Sequence, residues 1–146
     1  MKQKELNIIS QLRKDARSSL AAISEKVEVP ISTIYDKICK MHKFNLIKKF
    51  TVILDFPKLG FHYHAKIAIK VPKKQTVDII KFLKENSCVN SLHEINGGFT
   101  VFIETLHTDL KQFIDFKDCL YDSFDILEMH EYQIINDIET EKFMNS

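Results

Sequence analysis

Lys37, Lys40, Lys43, Lys48 and Lys49 all fall within residues 31–50, a stretch that holds a single carboxylate, Asp36. Ser32, Thr33 and Tyr35 lie among them. Ammonium groups bind phosphate and favour guanine O6 and N7, and Ser and Thr hydroxyls hydrogen-bond to base edges or to phosphate. The chemistry that suits such a set is recognition of a polyanion that displays hydrogen-bonding edges, not bond making or breaking. A solvated, lysine-rich helix face is the plainer account of any one of these residues, so the inference rests on the set. Charge elsewhere in the chain sharpens it. Residues 1–50 carry eleven Lys plus Arg against five Asp plus Glu, and residues 51–146 carry ten against fifteen, so a +6 segment precedes a −5 segment in a chain of formal net charge +1. The basic part attracts a polyanion and the acidic part is repelled by it, which fixes orientation.

The elements that must position these groups follow from periodicity. Leu6, Ile9 and Leu12 recur at helical spacing, as do Leu20, Ile23 and Val27, and then Ile34, Ile38 and Met41. Three short amphipathic helices are expected within the first 45 residues or so. Asp15-Ala16-Arg17-Ser18-Ser19 separates the first two and offers Ser18 or Ser19 as an N-cap. Val27-Glu28-Val29-Pro30 breaks the chain before the third, where Pro30 fits the helix start. Two helices joined by a short turn, the second basic on its outer side, describe a helix-turn-helix whose second helix enters a major groove. With Ile34, Ile38 and Met41 facing a core, Ser32, Thr33, Tyr35, Asp36, Lys37 and Lys40 are expected to project away from it. The short polar side chains and Lys37, near the helix start, would reach base edges. Lys43, Lys48 and Lys49 would meet phosphates, as would Arg17 and Ser19 at the start of the second helix.

Composition bounds the alternatives. At 146 residues, 45% hydrophobic and 28% charged, the chain can bury one ordinary core or two small ones. Its first residues, MKQKELNIISQL, lack the apolar run of a secretory signal, and no stretch approaches the roughly 18 apolar residues that span a membrane. A cytoplasmic protein with no membrane partner is the expectation. Cys39, Cys88 and Cys119 are far apart and show no zinc-ligand spacing, so free thiols are expected. His62 and His64 have the spacing of an H-x-H metal pair but lack an evident third ligand, and His93-Glu94 and His130-Glu131 point to opposite faces of their strands. Asp115, Asp118, Asp122 and Asp125 read as a solvated helix edge. No phosphate loop, nucleophile elbow or catalytic carboxylate pair is present. No catalytic residue, cofactor or metal is therefore expected.

The second part of the chain reads as α+β. In residues 61–71, FHYHAKIAIKV, the side chains of Phe61, Tyr63, Ala65, Ile67, Ile69 and Val71 alternate with His62, His64, Lys66, Ala68 and Lys70, giving a strand with one buried face. A helix is expected at 75–86, a strand at 88–95, the turn Asn96-Gly97-Gly98, a strand at 99–106, a helix at 109–123 and a strand from Ile126 to Ile135. Leu110, Phe113, Ile114, Leu120 and Tyr121 would face inward on the second of these helices. The order βαββαβ is a ferredoxin-like unit. The expected domains are a winged-helix-like helix-turn-helix in residues 1–50, a connecting strand or linker in 51–60 and the ferredoxin-like unit in 61–146.

Asp15-Ala16-Arg17, Ile23, Val27, Ser32-Thr33-Ile34, Lys37-Ile38, Met41 and Leu46-Ile47 run without a gap along the pattern DAR…LA..VG.S.STV..R…L…G.I, and the chain thereby resembles the leucine-responsive (Lrp/AsnC) regulators. Glu28 and Asn45 stand at that family's glycine positions, Pro30 at its serine cap, and Lys37 where arginine is common. The resemblance implies a sequence-specific DNA-binding transcriptional regulator, with double-stranded DNA as partner. It also implies assembly with itself, as a dimer or larger, and a second domain that dimerises and often senses an amino acid or other small effector. In the family, the central hairpin turn contributes to effector binding and reads roughly G-D-Y-D. Here the corresponding stretch is Asn96, Gly97, Gly98, Phe99 and Thr100, with Thr100 where the family has aspartate. An enzyme of the sirohaem decarboxylase type shares the two-domain plan and is the alternative. The Arg-Arg pair that such enzymes carry is Lys48-Lys49 here, which argues against it.

Overall fold

The computed structural model describes residues 2–145 and divides into two compact units, Met1–Ile53 with Ile138–Ser146, and Leu54–Asp137. In the first unit, α1 (Gln3–Lys14), α2 (Leu20–Val27) and α3 (Ile31–Lys43) form at the three periodic stretches. α2 and α3 bury members of their expected stripes, Ile23 and then Ile34 and Met41, whereas α1 buries Ile8 and leaves the expected Leu6, Ile9 and Leu12 half-buried. Ile8, Ile23, Val29, Ile34 and Met41 make a closed core, with Leu12, Leu20, Val27, Ile38 and Ile47 packed around it.

The breaks between these helices have local causes. Asp15 ends α1 and its carboxylate accepts the Arg17 N–H at 2.9 Å, a short polar turn that competes with helix. Ser19, not Ser18, caps α2 by accepting the Ala22 N–H at 3.1 Å. Glu28 ends α2 in the left-handed region at φ 53°, and Asn45 follows α3 at φ 57°. Asn tolerates that conformation, whereas Glu brings a Cβ clash that costs roughly 1–2 kcal/mol. No strand follows α3: residues 48–55 have no regular structure and Pro57–Leu59 is a single 3-10 turn. Of the expected connecting strand or linker the described residues show no strand, since the single chain offers residues 48–55 no backbone partner to form a ladder.

The second unit has β1 (Tyr63–Lys70), α4 (Thr76–Glu85), β2 (Val89–Glu94), β3 (Val101–His107), α5 (Leu110–Ser123) and β4 (Glu128–Gln133). The sheet order is β2-β3-β1-β4 with every neighbouring pair antiparallel. Ala65, Ile67, Ile69, Val101 and Ile103 form the sheet side of the core, and Ile79, Leu83, Phe113, Phe116 and Leu120 close it from α4 and α5.

Several expectations are corrected. Phe61 and His62 precede β1 and are exposed, so the H-x-H pair does not share a strand face. His64 is buried instead of solvated, because Glu104 on the neighbouring strand takes its Nε2 and Phe56 lies edge-on to its ring. On α5, Leu110, Ile114 and Tyr121 are exposed and Phe116 is buried, since positions 113, 116 and 120 line up on one face. β4 stops at Gln133, and Ile135 is 92% exposed. The last residues do not belong with the ferredoxin-like unit either. In the first unit, Arg13 donates to the Phe143 carbonyl at 2.6 Å and to the Glu141 carbonyl and carboxylate at 3.1 and 2.8 Å. No helix of the described residues is long and apolar enough to cross a membrane, and the three cysteines are free thiols.

Two stability predictions follow from strained or orphaned groups. Glu28→Gly removes the left-handed clash and should raise unfolding free energy by roughly 1 kcal/mol in chemical denaturation, with no change in fold. His107 is 2% exposed, lies against Phe113 and Phe116, and its Nε2 finds no hydrogen-bond partner among the described residues. Burial lowers its pKa below the ordinary 6.5, which Asp109 offsets only in part. The unfolded chain therefore binds a proton at a pH where the folded one does not, and stability is lost as pH falls through about 6.5. The thermal midpoint should drop more between pH 7.5 and 5.5 in the natural chain than in His107→Leu.

Candidate nucleic-acid interface

Helical geometry decides which side chains of α3 face outward. Residues advance by about 100°, so with Ile34, Ile38 and Met41 inward the opposite face is centred on Ser32, Asp36, Cys39 and Lys43. Ser32, Asp36, Cys39, Lys40 and Lys43 are all exposed, Tyr35 is 58% exposed, and Thr33 is half-buried at the flank. Among the described residues Asp36, Lys40, Lys43, Lys48 and Lys49 form no ion pair. The outward face is thus polar, largely cationic and unneutralised. A side-chain hydrogen bond in which the Tyr35 phenol donates to Cys39, followed by the electrostatic interaction with that residue, pushes the phenol pKa up. Cys39 is the one member of this face that sequence reasoning missed, although its position seven residues after Ser32 places it there.

Lys37 does not project. It lies three residues after Ile34 and four before Met41, both buried, which puts it on the flank of the inward stripe. Its ammonium meets Glu5 of α1 at 3.1 Å, with the side chains only 24% and 28% exposed. The other Glu5 oxygen accepts the Lys2 N–H at 3.2 Å. The Lys37 hydrogen bond, and then the Lys2 N–H, hold the Glu5 carboxyl below its usual range. Lys37 therefore clamps α3 to α1. Ser19 likewise has a structural duty as the α2 cap, while Arg17 is exposed just before it.

The hairpin between β2 and β3 holds the second expected site. Gly97 and Gly98 adopt φ 85° and 95°, which the turn requires. A shallow cavity of about 270 Å³ beside it is lined by Lys70, Lys73, Glu94, Gly98, Phe99 and Thr100, among others. Asn96 and Gly97 are exposed at the turn and do not line it. The Thr100 hydroxyl accepts the Val71 N–H at 3.1 Å and donates to the Val71 carbonyl at 3.3 Å, so it latches the hairpin to the end of β1. Among the described residues no group of three or more His, Cys, Asp or Glu could hold a metal ion.

No protein-family model matches the chain. Individual relatives do. An uncharacterized HTH-type transcriptional regulator of Pyrococcus furiosus is 31% identical over 96 residues, 66% of this chain and 65% of that protein. LrpB, an HTH-type transcriptional regulator of Bacillus subtilis, is 24% identical over 105 residues, covering 71% and 70%. Among solved structures, LrpC of B. subtilis superposes with a TM-score of 0.84 at 20% identity over 96% of this chain and 98% of LrpC. The chain is similar in sequence to HTH-type transcriptional regulators and has the fold of the Lrp/AsnC structures. AsnC of E. coli, at TM-score 0.82 and 16% identity over 96% and 95%, shares that fold. So does a Neisseria meningitidis transcriptional regulator solved as an L-Met complex, at TM-score 0.87 and 15% identity over 96% and 93%. The chain spans just under two thirds of the length of the Pyrococcus relative. Because of the Glu5–Lys37 clamp, Lys37→Ala should lower the thermal midpoint more than Lys40→Ala or Lys43→Ala, whose ammonium groups have no ion-pair partner among the described residues.

Proposed function

We propose that the chain is a sequence-specific, DNA-binding transcriptional regulator that acts as a homodimer or larger assembly and responds to a small effector, with no catalytic role. The observation that carries this reading is the outward face of α3, where the exposed cations form no ion pair among the described residues and stand with short polar groups over a closed core. In this reading Ser32, Thr33, Tyr35 and Asp36 approach base edges from the first two turns of the helix, and Lys40, Lys43, Lys48, Lys49 and Arg17 meet phosphates. Lys37 leaves the list of base-reading groups and becomes the residue that positions the helix. Ser19 contributes the amino-terminal end of α2, whose free N–H groups suit a phosphate oxygen.

One such helix buries too little surface for specific affinity. A two-fold pair reading half-sites about one helical turn apart supplies it. The acidic Leu54–Asp137 unit is the part proposed to pair the copies and to take the effector, an amino acid or other small molecule, at the hairpin of Asn96, Gly97, Gly98, Phe99 and Thr100. The cavity beside that turn supports this reading, as does the L-Met complex of the Neisseria protein with the same fold. Gly98 and Phe99 would touch the ligand, and Thr100 would hold the turn that presents them. Effector binding would set the spacing of the paired reading helices and hence the affinity for DNA.

Titrating the full chain against genomic fragments over a range of salt concentrations tests the reading. Binding should show a sequence preference and a log-log salt slope of several, and Lys43→Ala should weaken all sequences alike and reduce the slope by about 1. A slope near zero, or affinity indifferent to sequence, contradicts it.

A further inference from the structure

The outward face of α3 carries one carboxylate, and its position makes it informative. Ser32, Asp36 and Lys43 lie within about 40° of one another around the helix, at the centre of that face. Asp36 is the sixth residue of α3, in the second turn, and it is exposed. It is also the only acidic residue in 31–50, against five lysines. Lys40 stands four residues further on, the favourable spacing for an ion pair, yet Asp36 takes neither an ion pair nor a hydrogen bond among the described residues. Its charge is left presented to whatever covers the face.

An unpaired carboxylate is a liability on a surface meant for phosphate, since it repels the ligand that the surrounding lysines attract. That cost is offset at one kind of contact. In the major groove an Asp accepts a hydrogen bond from the N4 amino group of cytosine; adenine offers its N6 donor only beside the N7 acceptor, which repels a carboxylate, and guanine offers acceptors at O6 and N7 and thymine an acceptor at O4, which repel it too. A carboxylate there discriminates by attraction to one base and by repulsion from others. With Lys37 withdrawn to α1, the centre of the reading face within the first two turns of α3 holds Ser32, which hydrogen-bonds without strong preference, and Asp36, which does not. We propose that Asp36 is the residue that sets base preference, selecting cytosine at one position of each half-site and lowering affinity for duplexes that lack it.

This assignment rests on the reading of α3 as the DNA-contacting helix and changes what each residue there is for. The lysines supply affinity that is blind to sequence, and Asp36 subtracts affinity everywhere except at the right base. A merely solvating acid would instead reduce binding to all duplexes equally.

The test is selection from a pool of randomised duplexes with the full natural chain, Asp36→Ala and the near-isosteric Asp36→Asn, followed by titration of the natural chain's selected duplex and of a random duplex against each. The natural chain should fix a C·G pair at one position per half-site. Asp36→Ala should lose that fixed pair, bind the random duplex more tightly, and show a ratio of selected to random affinity lower by about 10-fold, the order expected for one base contact. Asp36→Asn should keep the fold and relax or shift the preference at that same position. Equal tightening on both duplexes with the fixed pair retained overturns the assignment, and so does loss of binding to both duplexes in Asp36→Asn with its circular dichroism unchanged. If the natural chain enriches nothing and binds no duplex, the DNA-binding reading itself fails, an outcome distinct from either.

Discussion

Everything on the proposed reading face depends on how α3 is seated. Ile34 and Met41 fix one side of that helix in a core with Ile8, Ile23 and Val29, and the Glu5–Lys37 pair fixes its rotation against α1. A helix held by apolar contacts alone could rotate by a fraction of a turn and exchange which residues face outward. The ion pair disfavours that rotation because breaking it leaves the Lys37 ammonium short of a partner in a partly desolvated place, while Glu5 keeps only the Lys2 N–H. The orientation of Ser32, Asp36, Cys39 and Lys43 is therefore a consequence of contacts made on the other side of the same helix.

The division of charge has a similar logic. Among the described residues Lys40, Lys43, Lys48 and Lys49 stay unpaired, so their field is available to an external anion, while the carboxylates of the Leu54–Asp137 unit are more often engaged. Glu104 takes His64, Asn90 and Ser91, Glu131 takes Lys117, and Asp115 takes Lys111. A pair between exposed groups contributes little to stability, about 0–1 kcal/mol. Its larger effect is to quiet the local field. The hairpin latch at Thr100 belongs to the same economy: a hydroxyl that satisfies both the N–H and the carbonyl of Val71 holds the turn while leaving Gly98 and Phe99 facing the cavity.

Much of this was legible in the sequence, and the remainder has identifiable reasons. The periodic triplets Leu6/Ile9/Leu12, Leu20/Ile23/Val27 and Ile34/Ile38/Met41 placed three helices because a 3.6-residue repeat is local information. The order βαββαβ was equally visible from alternation, the Asn-Gly turn and helical spacing. What failed depended on distant partners. Lys37 reads as outward because it is not part of the Ile34/Ile38/Met41 stripe, but Glu5, 32 residues away, waits on α1. His64 looked like an exposed strand residue until Glu104, 40 residues on, covered it. Phe116 replaced Ile114 and Tyr121 in the core of the second unit because amphipathic helices rich in apolar residues leave the phase of the buried stripe ambiguous. The hold of Arg13 on Glu141 and Phe143 had no local signal at all.

The most direct measurement is a nuclear magnetic resonance titration of the full chain with a duplex that it binds, reading backbone amide shifts residue by residue. The account predicts changes concentrated at Ser32, Asp36, Cys39 and Lys43 and around Arg17 to Leu20, with the amides of α4 and α5 unmoved. Shifts confined to residues 54–137, with the α3 amides unchanged at saturation, would contradict it.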